Sequence, residues 1–111
     1  MKGELDRLIQ FVGKLFVFDE KKYPELTGAS DKERFDYGVR HSALHLAKFG
    51  GKVAAVSEDV DHGGEGDIEE LRKAVPRLLI TVLKLADLLG MSEADLIRAI
   101  EEKYKQTLNP D

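Results

Sequence analysis

An all-α fold is predicted for this chain, a single domain resembling a four-helix bundle, on three observations. Four runs carry apolar residues at spacings of three and four, the period of an amphipathic helix, and each is bounded by a cap, a glycine or a proline. No stretch alternates apolar and polar residues as a half-buried strand does. One run, Val75 to Leu89, is apolar around most of its circumference, with Arg77, Thr81, Lys84 and Asp87 gathered on one narrow stripe. A surface helix of a small protein normally shows the reverse, so this helix needs cover on most sides, from its own chain, a second chain, or both. A homodimer or larger homo-oligomer is therefore expected. The run is shorter than the roughly 20 apolar residues of a bilayer span and contains Arg77 and Lys84, so no membrane partner is expected.

Composition sets the outer bounds. A length of 111 residues fits one domain with its own core. There is no cysteine, which removes disulfides, thiolate zinc sites and thiol nucleophiles. A hydrophobic fraction of 42% beside 34% charged residues fits a folded, charge-rich domain rather than a disordered one. The net charge of −4 lacks the basic surplus of a general duplex binder, so nucleic acid is not an expected partner. The segment Met1 to Asp6 is charged and holds no long apolar run, which reads as no signal peptide and a cytoplasmic protein.

The first helix is expected over Glu4 to Phe18, with Leu5, Leu8, Ile9, Val12, Leu15 and Phe16 on its apolar side. Pro24 and Gly28 make Lys21 to Ala29 a loop. Ser30-Asp31-Lys32-Glu33 has the spacing of a capping box and starts a second helix. Its core face is expected at Phe35, Val39, Ala43, Leu46 and Val53. Gly50-Gly51 should interrupt it, because two interior glycines cost roughly 2 kcal/mol relative to alanine. The expected result is a kink there or a close approach of another backbone, with helix resuming over Lys52 to Val56. Glycines make Asp59 to Gly66 a loop, and Asp67 caps a third helix with Glu70 at its third position. Pro76 lacks a donor and clashes with the preceding turn, so Ile68 to Leu89 is predicted to be kinked or broken near it. Gly90 is a stop signal, Ser92 to Asp95 caps the last helix, and Asn109-Pro110 ends it.

Two groups of residues carry chemistry. His41, His45, Lys48 and Lys52 step by four, three and four, and so share one face of the second helix. Such a stripe has three readings. It is a solvated or interface-facing face paired with acids. It is a metal site, since two histidines at this spacing ligate one ion if a carboxylate joins them. Or, with Arg77, it is an anion-binding face for a phosphate or nucleotide. The second group is Glu58, Asp59, Asp61, His62, Glu65 and Asp67 among glycines, of which Glu58, Asp61 and Asp67 are the candidate cation ligands. The plainer reading of that loop is a polar connection ending in a helix cap. EF-hand spacing, H-E-x-x-H, a P-loop, G-x-S-x-G and a dinucleotide glycine fingerprint are all absent.

The run Leu78 to Leu96, with its apolar helix, Gly90 stop and capped final helix, resembles the closing half of the MazG-like all-α nucleoside triphosphate pyrophosphohydrolases. Ile100 to Gln106 is similar to their charged ending, and Leu46 to Val56 looks like the family's L-x-E-E-x-G-E-L-A-x-A-I helix with its acids removed. The resemblance covers about residues 35 to 106. It implies a MazG-type fold, an oligomer, magnesium as cofactor and hydrolysis of a nucleotide between its α and β phosphates. The family holds magnesium with E-E-x-x-E on one helix and E-x-x-D on the next. Here those positions fall on Ala47, Lys48, Gly51, Ala74 and Arg77, none of them a carboxylate. Magnesium takes hard oxygen ligands, and Lys48 and Arg77 would repel it. Little or no magnesium-dependent hydrolysis is therefore expected, with Lys48, Arg77, His41, His45 and Lys52 as candidate contacts to a phosphate. The alternatives are a non-enzymatic nucleotide-binding module and a purely structural or regulatory homodimer.

Overall fold

The computed structural model describes residues 3–108 and is all-helical over them. Four helices follow one another: α1 Glu4–Leu15, α2 Asp31–Asp61, α3 Ile68–Leu88 and α4 Glu93–Leu108, with a short 3-10 turn Pro24–Leu26 between the first two. The expected end at Asn109-Pro110 lies outside the described residues. No described helix is long and apolar enough to cross a membrane.

The helix starts follow local chemistry. Ser30 and Glu33 form the reciprocal capping box, with Glu33 N donating to Ser30 Oγ at 3.1 Å and Ser30 N to Glu33 Oε1 at 3.1 Å. Asp67 accepts from the amides of Glu69 and Glu70. Ser92 and Asp95 repeat the box at α4, at 2.9 and 3.2 Å. Gly3 gives α1 no side-chain cap of its own. Glu93 supplies one across the fold, accepting from Leu5 N at 3.0 Å, while Asp6 accepts from Glu93 N at 2.7 Å. This exchange satisfies first-turn amides of two helices at once. After α3, Gly90 turns the chain with φ +68°, a conformation that a side chain resists.

Four boundaries differ from expectation, the first being that α2 runs on to Asp61, into the stretch from Asp59 expected as loop. α1 ends at Leu15, and Phe16 to Phe18 turn away from it. α2 runs unbroken through Gly50 and Gly51, and a side chain added at either would meet nothing within 4 Å. No backbone approaches them, so their cost is borne by the rest of a long helix packed along α3. α3 likewise continues as one helix through Pro76, whose ring is exposed. The apolar turns on either side hold the ladder across the one missing donor.

The main helix pairs are α2 against α3 and α1 against α3. The core is small. Ile9 and Val12 of α1 meet Leu83 and Ala86 of α3, with Leu5, Met91 and Leu96 around them. The face expected to be buried on α2 is not. Phe35 and Ala43 are exposed, Val39, Leu46 and Val53 half-buried, and the buried positions are Gly38 and Ser42. The middle of α3's polar stripe turns inward, with Thr81 6% and Lys84 7% exposed and Asp87 half-buried, while Arg77 stays exposed and Val75, Leu79, Val82 and Leu89 stand 44–60% exposed. Every residue of α4 from Ile97 to Thr107 is exposed.

Candidate functional site

Gly38 of α2 lies by Leu88 of α3, and Phe49 of α2 by Arg77 of α3, so the two helices run antiparallel. Their seam is polar where a core would be apolar. Ser42 and His45 from α2 and Thr81 and Lys84 from α3, with His41, Phe16 and Phe18, enclose a cavity of about 60 Å³. Thr81 Oγ1 donates to the carbonyl of Arg77 at 2.9 Å, which ties its hydroxyl to its own helix. The Lys84 ammonium donates to Asp87 Oδ2 at 3.0 Å and lies over the Phe18 ring, 5.4 Å from its centre. With its side chain 8% exposed, Lys84 is a buried cation neutralised by a half-buried carboxylate.

An aromatic shell holds the histidines. The rings of Phe18, Tyr23, Tyr37 and His41 lie 5.2 to 6.0 Å apart, with Tyr37 and His41 stacked within 13° of parallel. Phe18 reaches this shell because Gly38 has no side chain, and a Cβ there would sit 3.0 Å from the Phe18 ring. Tyr23 is set by the turn before α2, where its amide donates to the Asp19 carbonyl at 2.9 Å. His41 and His45 are one turn apart, and their Nε2 atoms approach to 3.0 Å. In that contact one ring donates and the other accepts. The Tyr23 hydroxyl is 3.5 Å from the same His41 nitrogen. Burial first, and then the neighbouring His45, push the His41 imidazole below its ordinary pKa, with Glu25 acting the other way. Burial, followed by Glu25, raises the Tyr37 phenol.

One turn further along α2 the character changes. The His45 ring is 6.0 Å from that of Phe49. Lys48 Nζ and the Arg77 guanidinium each lie 5.7 Å from the Phe49 ring centre. Four of the five residues expected to bind an anion thus follow one another along the seam. Lys52 does not join them. It lines a separate groove of about 260 Å³ with Asp59, Asp67 and Glu70.

The acidic loop is occupied with its own backbone. Asp59 accepts from Gly66 N at 3.0 Å, Asp67 caps α3, and the Glu58 carbonyl takes the His62 amide and faces its Nδ1. Among the described residues no three His, Asp or Glu side chains are grouped as metal ligands, those of Glu58, Asp61 and Asp67 included. The Asp59 and Asp67 carboxylates take amides at the turn and at the first turn of α3 that have no backbone partner there.

Sequence reasoning missed Tyr23, Tyr37, Phe18, Ser42 and Lys84 as neighbours of the histidines. For Lys84 the signal was present, since a lysine in the middle of an otherwise apolar helix needs a partner. For Tyr23 there was none, because its position depends on how the turn before α2 folds back. In comparisons with family models, curated proteins and solved structures, nothing matched this chain.

Proposed function

We propose that the chain is a homodimeric, MazG-like all-α protein that binds a phosphate-bearing ligand, a nucleotide above all, without the family's magnesium site. The observation that carries this reading is the placement of Lys48 and Arg77 on the two sides of the α2–α3 seam, both at the Phe49 ring and next to His45. In the family resemblance, these are positions of metal-binding acids. With cations there, the local field favours anions over cations. A guanidinium and an ammonium bind phosphate directly. Hydrolysis through a metal at these positions has no ligands to support it.

The test is a nucleotide panel read by thermal shift and by pyrophosphate release, with and without magnesium. Nucleotides should raise the melting temperature without magnesium, the effect should fade with salt, and Lys48→Ala or Arg77→Ala should weaken it. Magnesium-dependent pyrophosphate release that Glu58→Ala and Asp61→Ala abolish would overturn this reading in favour of a relocated metal site.

The oligomer rests on surface area. The 12.4 kDa chain exposes 8404 Å², against about 6100 Å² for a folded monomer of its mass. The excess of about 2300 Å² per chain is more than the roughly 800 Å² per partner of a standard interface. Its radius of gyration, 17.5 Å, compares with about 13 Å for a compact domain of this length. Leu8, Phe11 and Leu15 of α1, Val75, Leu79 and Val82 of α3, and Ile97, Ile100 and Tyr104 of α4 are all exposed at helical spacing. A second copy brings equivalent faces to cover them.

A further inference from the structure

The histidine pair has a use that the anion reading leaves aside. His41 and His45 sit one turn apart on a single rigid helix, and both bring Nε2 to the same point, 3.0 Å apart. Tyr23 comes beside one of these two atoms from the turn before α2, its hydroxyl 3.5 Å from His41 Nε2. A tetrahedral ion with ligands at about 2.0–2.1 Å separates them by about 3.3 to 3.4 Å, so both measured separations come within a few tenths of an ångström of what it requires. All three rings are half-buried; Tyr23 and His41 pack on Phe18 and Tyr37, and His45 lies between His41 and Phe49, which limits the rotamer freedom that ordering a site would otherwise cost.

We infer that Tyr23, His41 and His45 form a binding site for a divalent transition ion of the zinc class, with two imidazole nitrogens and one phenol oxygen as ligands and water as the fourth. Imidazole donors select such ions over magnesium or calcium, which demand oxygen sets that this corner lacks. Lys84, which lines the same cavity as the two histidines, is turned to Asp87 at 3.0 Å and its charge is matched there. The site differs from the one the spacing suggested, since a tyrosine rather than a carboxylate supplies the third ligand.

The chain has 3 histidines and no cysteine, so the assignment is cleanly testable. Cobalt chloride and zinc chloride are titrated into the full chain, reading cobalt visible bands and calorimetry. One ion per chain with the intense absorption of four-coordinate cobalt is expected. His41→Ala or His45→Gln should weaken binding by on the order of a hundredfold, the upper end of what losing even a supporting partner costs. Tyr23→Phe should shift the cobalt bands, and His62→Ala should change nothing, since His62 is exposed on the far loop. Circular dichroism on each variant separates lost ligation from lost fold. Lys48→Ala and Arg77→Ala should keep the cobalt spectrum, so this proposal and the anion reading fail independently. No cobalt bands in the folded wild-type chain, or binding that survives loss of both His41 and His45, would overturn the site and leave the pair as a hydrogen-bonded structural contact.

Discussion

A single lysine governs much of the interior. Lys84 is buried against Phe18 and has one carboxylate partner, Asp87, whose side chain is 35% exposed. Removing one member of a buried pair strands the other, at about 3–5 kcal/mol when both are fully dry. Because Asp87 reaches water, Asp87→Ala should cost less, about 2 kcal/mol. Lys84→Met, which removes the charge and keeps the volume, should cost less than Asp87→Ala. Urea unfolding of the two variants checks the order. A second prediction concerns the caps. Hydrogen bonds from the Ser30 amide and then its hydroxyl hold Glu33 below its ordinary pKa, and those of Ser92 do the same for Asp95. A carboxylate depressed in the folded state adds stability that is present above its unfolded pKa and lost as pH falls through the folded one. The chain should therefore lose stability as pH drops below about 4. Glu33→Gln and Asp95→Asn together should flatten that acid limb, as followed by urea midpoints across the range.

At the level of the helix, α2 and α3 carry residues that their own geometry does not need. Gly50 and Gly51 lie in a continuous helix with open space around them. Replacing each by alanine should stabilise α2 by about 0.5–1 kcal/mol, through the lower entropy of the unfolded chain. Pro76 is exposed within α3, so Pro76→Ala should also stabilise, by restoring an amide donor. Thermal unfolding of the three variants reads both effects. A loss of stability in the glycine variants, appearing only at concentrations where the chain associates, would mean that a second copy packs against Gly50 and Gly51.

For the whole molecule, the two leucines of α3 separate folding from assembly. Leu83 is 3% exposed in the chain's own core, whereas Leu79 is 47% exposed. Leu83→Asp should unfold the chain, because a buried unpaired carboxylate costs several kcal/mol. Leu79→Asp should keep the helical signal and split the assembly, as read by sedimentation at low micromolar concentration. A wild-type chain that sediments only as a stable monomer would refute the dimer.

Local chemistry was legible without the fold. The caps at Ser30, Asp67 and Ser92, the stop at Gly90 and the apolar period of each helix depend on residues within a few positions of each other, so the linear order of residues contains them. The step from His41 to His45 is of the same kind, since one helical turn places them together wherever the helix goes. Penalties read one residue at a time were less informative. Gly50, Gly51 and Pro76 each disfavour helix locally, and long helices packed along one another override them. Only the tertiary structure decided which side of α3 faces inward. Thr81 and Lys84 of its polar stripe turn toward a cavity shared with Ser42 and His45, Lys84 pairing with Asp87, while Val75, Leu79, Val82 and Leu89 of its wider apolar side stay exposed. It also brought Tyr23 to His41 across 18 positions and Arg77 to Phe49 across a helix seam. Contacts of that range depend on how turns and helix pairs close, and periodicity within one helix says nothing about them.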